Sequence, residues 1–314
     1  MTLDWVIGGG GLLGAALVRS LQARGGARFL PADRFSWTEP ERLVGQIRAA
    51  VAEFEQQARH ADAWNIYWAA GVGAMGSTAA ELANETLAWG ELLNAVSDSG
   101  LPSLRPGHIG LASSAGAIYA GLRADVIDEN CDIAPTTPYA EAKLAQERLL
   151  ADFCSRGLPV AALTARISTL YGTGQARGKR QGLISHMARS IVRNRPIQIF
   201  VPFDTVRDYI TAEDAAELII DSLRTLPPGV GRMRIVAAER PTSIAEIVAT
   251  FRRVARRPVL IATSASQLSS LYLRRVQFRS IWETARPASS TSLAVGVAQV
   301  LAAERLAHAG GLQR

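Results

Sequence analysis

Tyr139 and Lys143 are the residues of this 314-residue chain whose types and spacing first suggest chemistry. They stand four apart in Pro138-Tyr139-Ala140-Glu141-Ala142-Lys143, so on a helix they share one face. A free phenol, with a pKa near ~10, is a poor base at neutral pH, but a neighbouring ammonium stabilises the phenolate and lowers that pKa. Such a phenol can exchange a proton with a substrate hydroxyl while hydride passes to or from a nicotinamide. The pair alone has a second reading, in which Lys143 pairs with Glu147 on a solvated face. Lys143 and Lys179 are the only lysines of an arginine-biased chain, so a lysine at this spacing is hard to ascribe to composition.

Two further motifs precede this helix. In Trp5-Val6-Ile7-Gly8-Gly9-Gly10-Gly11-Leu12-Leu13-Gly14, glycines at 8, 11 and 14 follow an apolar strand and open an amphipathic helix. Glycine permits the tight turn, lets backbone amides approach a pyrophosphate and allows close helix-strand packing, and the helix N-terminus favours the anion. A flexible glycine-rich terminus is the weaker alternative. Asp33 is the candidate acid for the adenosine ribose hydroxyls, and Arg34 beside it could instead hold a 2′-phosphate. An exposed turn pair explains these two equally well, so NAD and NADP are not separated. The second motif is Leu111-Ala112-Ser113-Ser114-Ala115-Gly116-Ala117-Ile118-Tyr119. Serines at the C-terminal end of a parallel strand face a cofactor crevice, where a hydroxyl can bond a reacting alcohol or ketone, or they merely cap a turn.

These residues need a scaffold of parallel strands and crossover helices, and the first half of the chain supplies its pattern. Apolar runs predict strands near 4–8, 27–31, 64–69, 107–112 and 159–165. Helical patterns lie between them near 12–24, 40–60, 78–98 and 138–155. A strand near 197–201 and helices near 182–194 and 212–225 follow. The expected fold is α/β, a Rossmann-type doubly wound parallel sheet with a smaller C-terminal substrate lobe. The expected division gives 1–170 to the dinucleotide-binding domain, with 197–225 returning to it, and 171–196 with 226–314 to the substrate lobe.

Composition narrows the partners. Cys131 and Cys154 are the only cysteines and lack metal-type spacing, so neither a disulfide framework nor a metal site is expected. The net charge is +6, with arginines spread along the chain rather than interleaved with aromatics, which favours anionic small molecules over nucleic acid. Neither an export signal nor a membrane span is visible, so a cytoplasmic location is expected.

In their order, these motifs resemble the extended short-chain dehydrogenase/reductases, specifically the NAD-dependent epimerase/dehydratase family that includes UDP-glucose 4-epimerase. The resemblance covers most of residues 5–225. It is carried by Gly8-x-x-Gly11-x-x-Gly14, Ala69-Ala70-Gly71, Asn84, Ser113-Ser114 upstream of Ile118-Tyr119, Tyr139-x-x-x-Lys143, Arg166-x-x-x-x-Tyr171-Gly172, and Arg207-Asp208-Tyr209-Ile210 before Asp214. It implies Tyr139 as acid/base, Lys143 as ligand of the nicotinamide ribose, and Ser114, with Ser113 as second choice, on the reacting oxygen. It places Gly8, Gly11, Leu12, Leu13, Gly14, Ala69, Ala70 and Gly71 at the cofactor, Arg207 at a substrate diphosphate, and Ser185 and His186 near the nucleotide or sugar. Relatives often dimerise through the Tyr-Lys helix and its neighbour, so a homodimer is implied.

Three departures qualify it. The place four residues before Tyr119, where many relatives carry the catalytic Ser or Thr, is Ala115. A clear third strand is missing from 32–63, and 230–314 aligns poorly. The family's dehydratases carry an Asp-Glu pair where this chain has Ala115-Gly116-Ala117, which disfavours elimination of water. The implied reaction is nucleotide-sugar 4-epimerisation with NAD, the alternatives being an NAD(P)H-dependent keto-sugar reduction and a non-catalytic dinucleotide-binding role.

Overall fold

The apolar run Leu3-Asp4-Trp5-Val6-Ile7 forms strand β1 (Thr2–Ile7), buried along nearly its whole length in a computed structural model of the chain. The structure describes all residues except 72, 74–76, 105, 176–181, 257–258, 264–274, 284–289 and 312–314. Lys179 lies outside the described residues.

Helix α1 (Leu12–Ala23) follows the glycine turn, and β2 (Ala27–Arg28) pairs parallel to β1. The chain then crosses through α2 (Pro40–Ala58) to β3 (Ala63–Trp68) on the other side of β1. Helix α3 (Ala79–Asp98) opens with a capping box between Thr78 and Glu81. A short turn, α4 (Leu101–Leu104), leads into β4 (Gly107–Ser114), and α5 (Ala115–Ile118) follows it. Helix α6 (Pro138–Ser155) is capped by Thr137 and has proline at its first position, which fixes its start. Strand β5 (Val160–Ile167) is buried on both faces, as a central parallel strand must be.

Beyond β5 come β6 (Thr169–Tyr171), α7 (Leu183–Val192), β7 (Ile197–Ile199), β8 (Val206–Thr211) and α8 (Ala212–Arg224). The chain continues through β9 (Gly231–Val236), β10 (Pro241–Ser243), α9 (Ile244–Ala255), β11 (Ile261–Thr263) and α10 (Leu293–Gly311). The main sheet is entirely parallel in the order β2-β1-β3-β4-β5-β9. This is the doubly wound arrangement expected, with the direction of winding reversing between β1 and β3. Among the described residues only the two-residue β2 lies outside β1, in keeping with the lack of strand signal over 32–63.

Two expectations about the division need correction. The strand near 197–201 does not return to the main sheet: β7 pairs with β11 in a separate two-stranded sheet. Strand β9, assigned from sequence to the substrate lobe, forms the edge of the main sheet beside β5. Its sequence Gly-Arg-Met-Arg-Ile-Val puts arginines at 232 and 234, which broke the apolar run that would have announced it. Residues 169–171, for which no element was expected, form β6, held parallel to β8.

Among the described residues the core lies in four clusters, the smallest of which joins Tyr119, Ile127, Ile235, Val276 and Phe278. On one face of the sheet α2, α3 and α6 bury Trp5, Phe29, Phe54, Trp64, Trp68 and Trp89. On the other, α1 and α8 meet through small residues, Ala16, Ala212, Ala215 and Ala216, and are clamped at the surface by Arg24 on Glu217 and Asp221. A separate cluster, including Ile184, Met187, Ile247, Phe251 and Val297, packs α7, α9 and α10 together as the C-terminal lobe.

Candidate active site

The turn at Gly8 lies where the winding of the sheet reverses. Gly8 has φ +88°, and a Cβ there would come 2.5 Å from the nitrogen of Ala70, so the glycine turn and the Ala69-Ala70-Gly71 segment after β3 touch backbone to backbone. A Cβ on Gly14 would lie 2.1 Å from the carbonyl oxygen of Gly8, which is why α1 can start so close to β1. The outer side of the turn is open, since a Cβ on Gly10 would meet nothing within 4 Å. Gly11 is the N-cap, and the amides of Leu12, Leu13 and Gly14 begin a helix and so have no partner carbonyl one turn back. These residues fit a dinucleotide pyrophosphate by shape and polarity.

Asp33 and Arg34 are exposed on the segment between β2 and α2, where the Arg34 carbonyl accepts a hydrogen bond from Gln46. Arg28 comes closer to the turn: its guanidinium nitrogen would be 3.3 Å from a Cβ on Gly9. Nothing in the sequence pattern singles out Arg28, because its approach depends on how β2 lies beside β1.

Tyr139 is half-buried near the start of α6, its ring 3.1 Å from where a Cβ on Gly73 would stand. Its hydroxyl makes no hydrogen bond with the described residues. Lys143 sits one turn on, with its ammonium 5.9 Å from the Tyr139 ring centroid. Lys143 does not pair with Glu147 on a solvated face. It is buried and donates to Glu85 Oε1 at 2.8 Å and to Gln146 Oε1 at 3.0 Å. Burial works against its charge, but the anionic groups around it, the Tyr139 phenolate first and then the Glu85 and Glu147 carboxylates, together outweigh that and hold the ammonium above its ordinary range.

Glu147 is instead engaged by Arg166 of β5, whose Nη2 lies 2.7 Å from its Oε2 and whose Nη1 donates to the Tyr119 hydroxyl at 2.6 Å. Burial, against the opposing pull of Arg166, pushes the Tyr119 phenol up. Ser113 and Ser114 end β4 with opposite fates, because successive strand residues point to opposite sides. The Ser113 hydroxyl is buried and donates to Glu147 Oε1 at 2.5 Å. Ser114 is half-buried and its hydroxyl makes no hydrogen bond with the described residues.

The Arg207-Asp208-Tyr209 motif and the other predicted substrate residues are less uniform. Asp208 is a buried clip: it accepts from Ser168 at 2.6 Å and from the backbone of Ala238 and Arg240 at 2.9 Å each, tying β8 to the end of β9. Burial raises its pKa despite these bonds. Arg207 precedes it, half-buried, with Nη1 donating to the Val206 carbonyl at 2.8 Å. Ser185 faces inward on α7 and is buried, whereas His186 is exposed and within 3.4 Å of the Ser190 hydroxyl. Asn84 bonds the Trp37 carbonyl at 3.2 Å, and it is the next residue, Glu85, that faces the site. Glu85 escaped the sequence reading, although it falls in the apolar stripe Leu82, Trp89, Leu93, Val96 at helical spacing, where a carboxylate is out of place.

The family model of the NAD dependent epimerase/dehydratase family matches residues 5–232. The chain is 31% identical over 112 residues to the dTDP-4-dehydro-6-deoxyglucose reductase of Escherichia coli, a match spanning 36% of this chain and 35% of that enzyme. In fold it is similar to the UDP-glucose 4-epimerase of Thermus thermophilus in complex with NAD, with TM-score 0.77 and 20% identity over 97% of this chain and 99% of that one. It is similar also to RMD from Pseudomonas aeruginosa complexed with NADPH, with TM-score 0.76 and 22% identity over 98% of this chain and 100% of that one. A family match that runs from the first strand into β9, on a sheet whose winding reverses at the glycine turn, has one consequence: the chain belongs to the NAD dependent epimerase/dehydratase family.

Proposed function

We propose that this chain is an NAD-dependent nucleotide-sugar epimerase, most closely a 4-epimerase, with Tyr139 as its acid/base. The observation that carries the reading is a half-buried phenol whose hydroxyl is unbonded among the described residues, one helical turn from a buried, charged Lys143. Tyr139 takes the proton from a sugar hydroxyl and later returns it. Lys143 stabilises the phenolate that must be present before the proton is taken and that re-forms when it is returned, and is the residue to hold the nicotinamide ribose. Bound at the glycine turn, NAD supplies a hydride acceptor and donor. Ser114 holds the reacting oxygen, since Ser113 already bonds Glu147. Arg207 suits the substrate diphosphate, because a planar guanidinium matches phosphate oxygens. The C-terminal lobe chooses the sugar. In this reading the protein is cytoplasmic and dimerises through α3 and α6.

Keto-sugar reduction is the second reading, favoured by the match to the Escherichia coli reductase. Proton NMR of the protein with NAD and UDP-, GDP- and dTDP-hexoses separates the two. Conversion of one anomeric signal to that of its epimer, without net NADH, supports epimerisation. Consumption of NADH or NADPH by a keto-sugar, with no epimer formed, supports reduction. Tyr139→Phe is expected to slow either reaction by ~10²–10⁴ with NAD binding retained. Unchanged turnover in that variant removes Tyr139 from the chemistry.

A further inference from the structure

We propose that Glu85 is a positioning residue that sets the charge of the Tyr139/Lys143 pair: a buried carboxylate on α3 that holds Lys143 in place and offsets its field at the phenol. Glu85 Oε1 accepts from Lys143 at 2.8 Å and from Gln146 at 3.0 Å, and Gln146 Oε1 accepts from Lys143 at 3.0 Å, which closes a three-membered ring of bonds. The second oxygen, Oε2, is buried and has no hydrogen-bond partner among the described residues, and it lies 3.1 Å from where a Cβ on Gly71 would be. A buried carboxylate with an open acceptor costs stability, and a leucine would serve packing at this point of the α3 stripe better.

The charges around Lys143 can be assigned element by element. On α6, besides Tyr139, there is Glu147, but Arg166 of β5 occupies that carboxylate and the Tyr119 phenol as well. From α3 there is Glu85. Glu147 and Arg166 therefore balance each other, and Glu85 balances Lys143. With the phenol neutral the group formed by Tyr139, Lys143 and Glu85 has no net charge, and ionising Tyr139 makes it negative. Without the Glu85 charge, the same ionisation would run from one positive charge to none. Glu85 thus keeps a buried lysine charged while weakening its pull on the phenol, so the pH at which Tyr139 becomes a base is set jointly by α3 and α6.

This inference takes its importance from the proposed role of Tyr139, but its test needs no turnover, so failure of the epimerase reading leaves it standing. The full-length protein and its Glu85→Gln variant are titrated by tyrosinate ultraviolet absorbance, each against the same protein carrying Tyr139→Phe, so that the difference isolates Tyr139. Glutamine keeps the shape and an acceptor for Lys143 and removes the charge. The Tyr139-dependent absorbance of Glu85→Gln is expected to appear about one pH unit lower than in the parent, from one unit charge removed several ångströms away at an effective dielectric of ~20. A purely structural role would alter stability and leave this midpoint in place. A midpoint that is unmoved or moves upward overturns the proposal. Should Glu85→Gln fail to fold by circular dichroism, the parent is labelled with ¹³C-lysine, which yields two signals, assigned with Lys143→Arg. The Lys143 signal is expected to remain that of an ammonium well above neutral pH, and loss of its proton at or below neutral pH would overturn the assignment.

Discussion

Gly14→Ala adds one methyl group where α1 meets β1. Its Cβ would stand 2.1 Å from Gly8 O, 2.7 Å from Gly8 C and 2.9 Å from Gly9 Cα, all of them backbone atoms that cannot swing aside. Relief requires α1 to retreat by about 1 Å, and with backbone atoms this close the cost falls in the upper part of the overpacking range, ~2–3 kcal/mol. Alanine's better helix propensity offsets about 1 kcal/mol of that, leaving a net loss of ~1–2 kcal/mol. At ~2.1 cal/mol/K per residue, unfolding this 314-residue chain carries an entropy of ~0.7 kcal/mol per degree, so Tm should fall by about 2–3 °C. The displaced turn should also bind NAD at least ~10-fold more weakly, about 1.4 kcal/mol. Gly10→Ala is the control. Its Cβ meets nothing within 4 Å, so Tm should hold within about 1 °C while NAD binding still weakens, because that side of the turn faces the ligand. Thermal melting and calorimetric NAD titration of both variants check this. A Gly14→Ala protein with the parent's Tm and NAD affinity, or a Gly10→Ala protein as destabilised as Gly14→Ala, would refute the close-packing argument.

Other outcomes follow from the same geometry. Ser113→Ala removes a hydrogen bond to a carboxylate and should cost ~1.5–3 kcal/mol in denaturant unfolding. Ser114→Ala should leave stability within ~0.5 kcal/mol and lower turnover by ~10²-fold, and the reverse pattern would exchange their roles. Arg166→Met strands the Glu147 carboxylate and should cost ~3–5 kcal/mol, much of it recovered by adding Glu147→Leu; a loss below ~1 kcal/mol for the single change counts against a paired buried ion. His108 Nδ1 donates to Asn65 Oδ1 over 2.9 Å, and burial, then the Arg224 charge, lower its pKa. Its neutral form is therefore favoured by folding. The stability it contributes is present above the ordinary histidine value of ~6.5 and is lost as pH falls through the lowered folded value. His108→Gln should flatten that acid slope in pH-dependent unfolding, and an unchanged slope would show that His108 is not its source.

The elements that carry the chemistry were legible because each has a strong local cause. Helix α6 begins at Pro138 behind the Thr137 cap, and its left-handed Gly157 lies just beyond its end, so Tyr139 and Lys143 could be placed on one face before any tertiary contact was considered. The glycine turn was equally plain, since a strand, three spaced glycines and a helix leave little conformational choice. The short strands of the second half of the chain were not legible. Strands β6, β10 and β11 are three residues each, too short for a period-two signal, and they exist because a partner strand distant in sequence supplies their hydrogen bonds.

The sequence by itself determined the alternation of the main strands and helices through β5, the glycine turn and the helical face shared by Tyr139 and Lys143, because these depend on backbone sterics and on periods of two and 3.6 residues. Only the tertiary structure decided the partners of the charged side chains. Lys143 turned from Glu147, four residues away, to Glu85, fifty-eight residues earlier, and Glu147 turned to Arg166. The register of β4 against β5 and the packing of α3 on α6 bring those groups within bonding distance, and once they are buried each charge must find the counter-charge within reach rather than the one nearest in sequence.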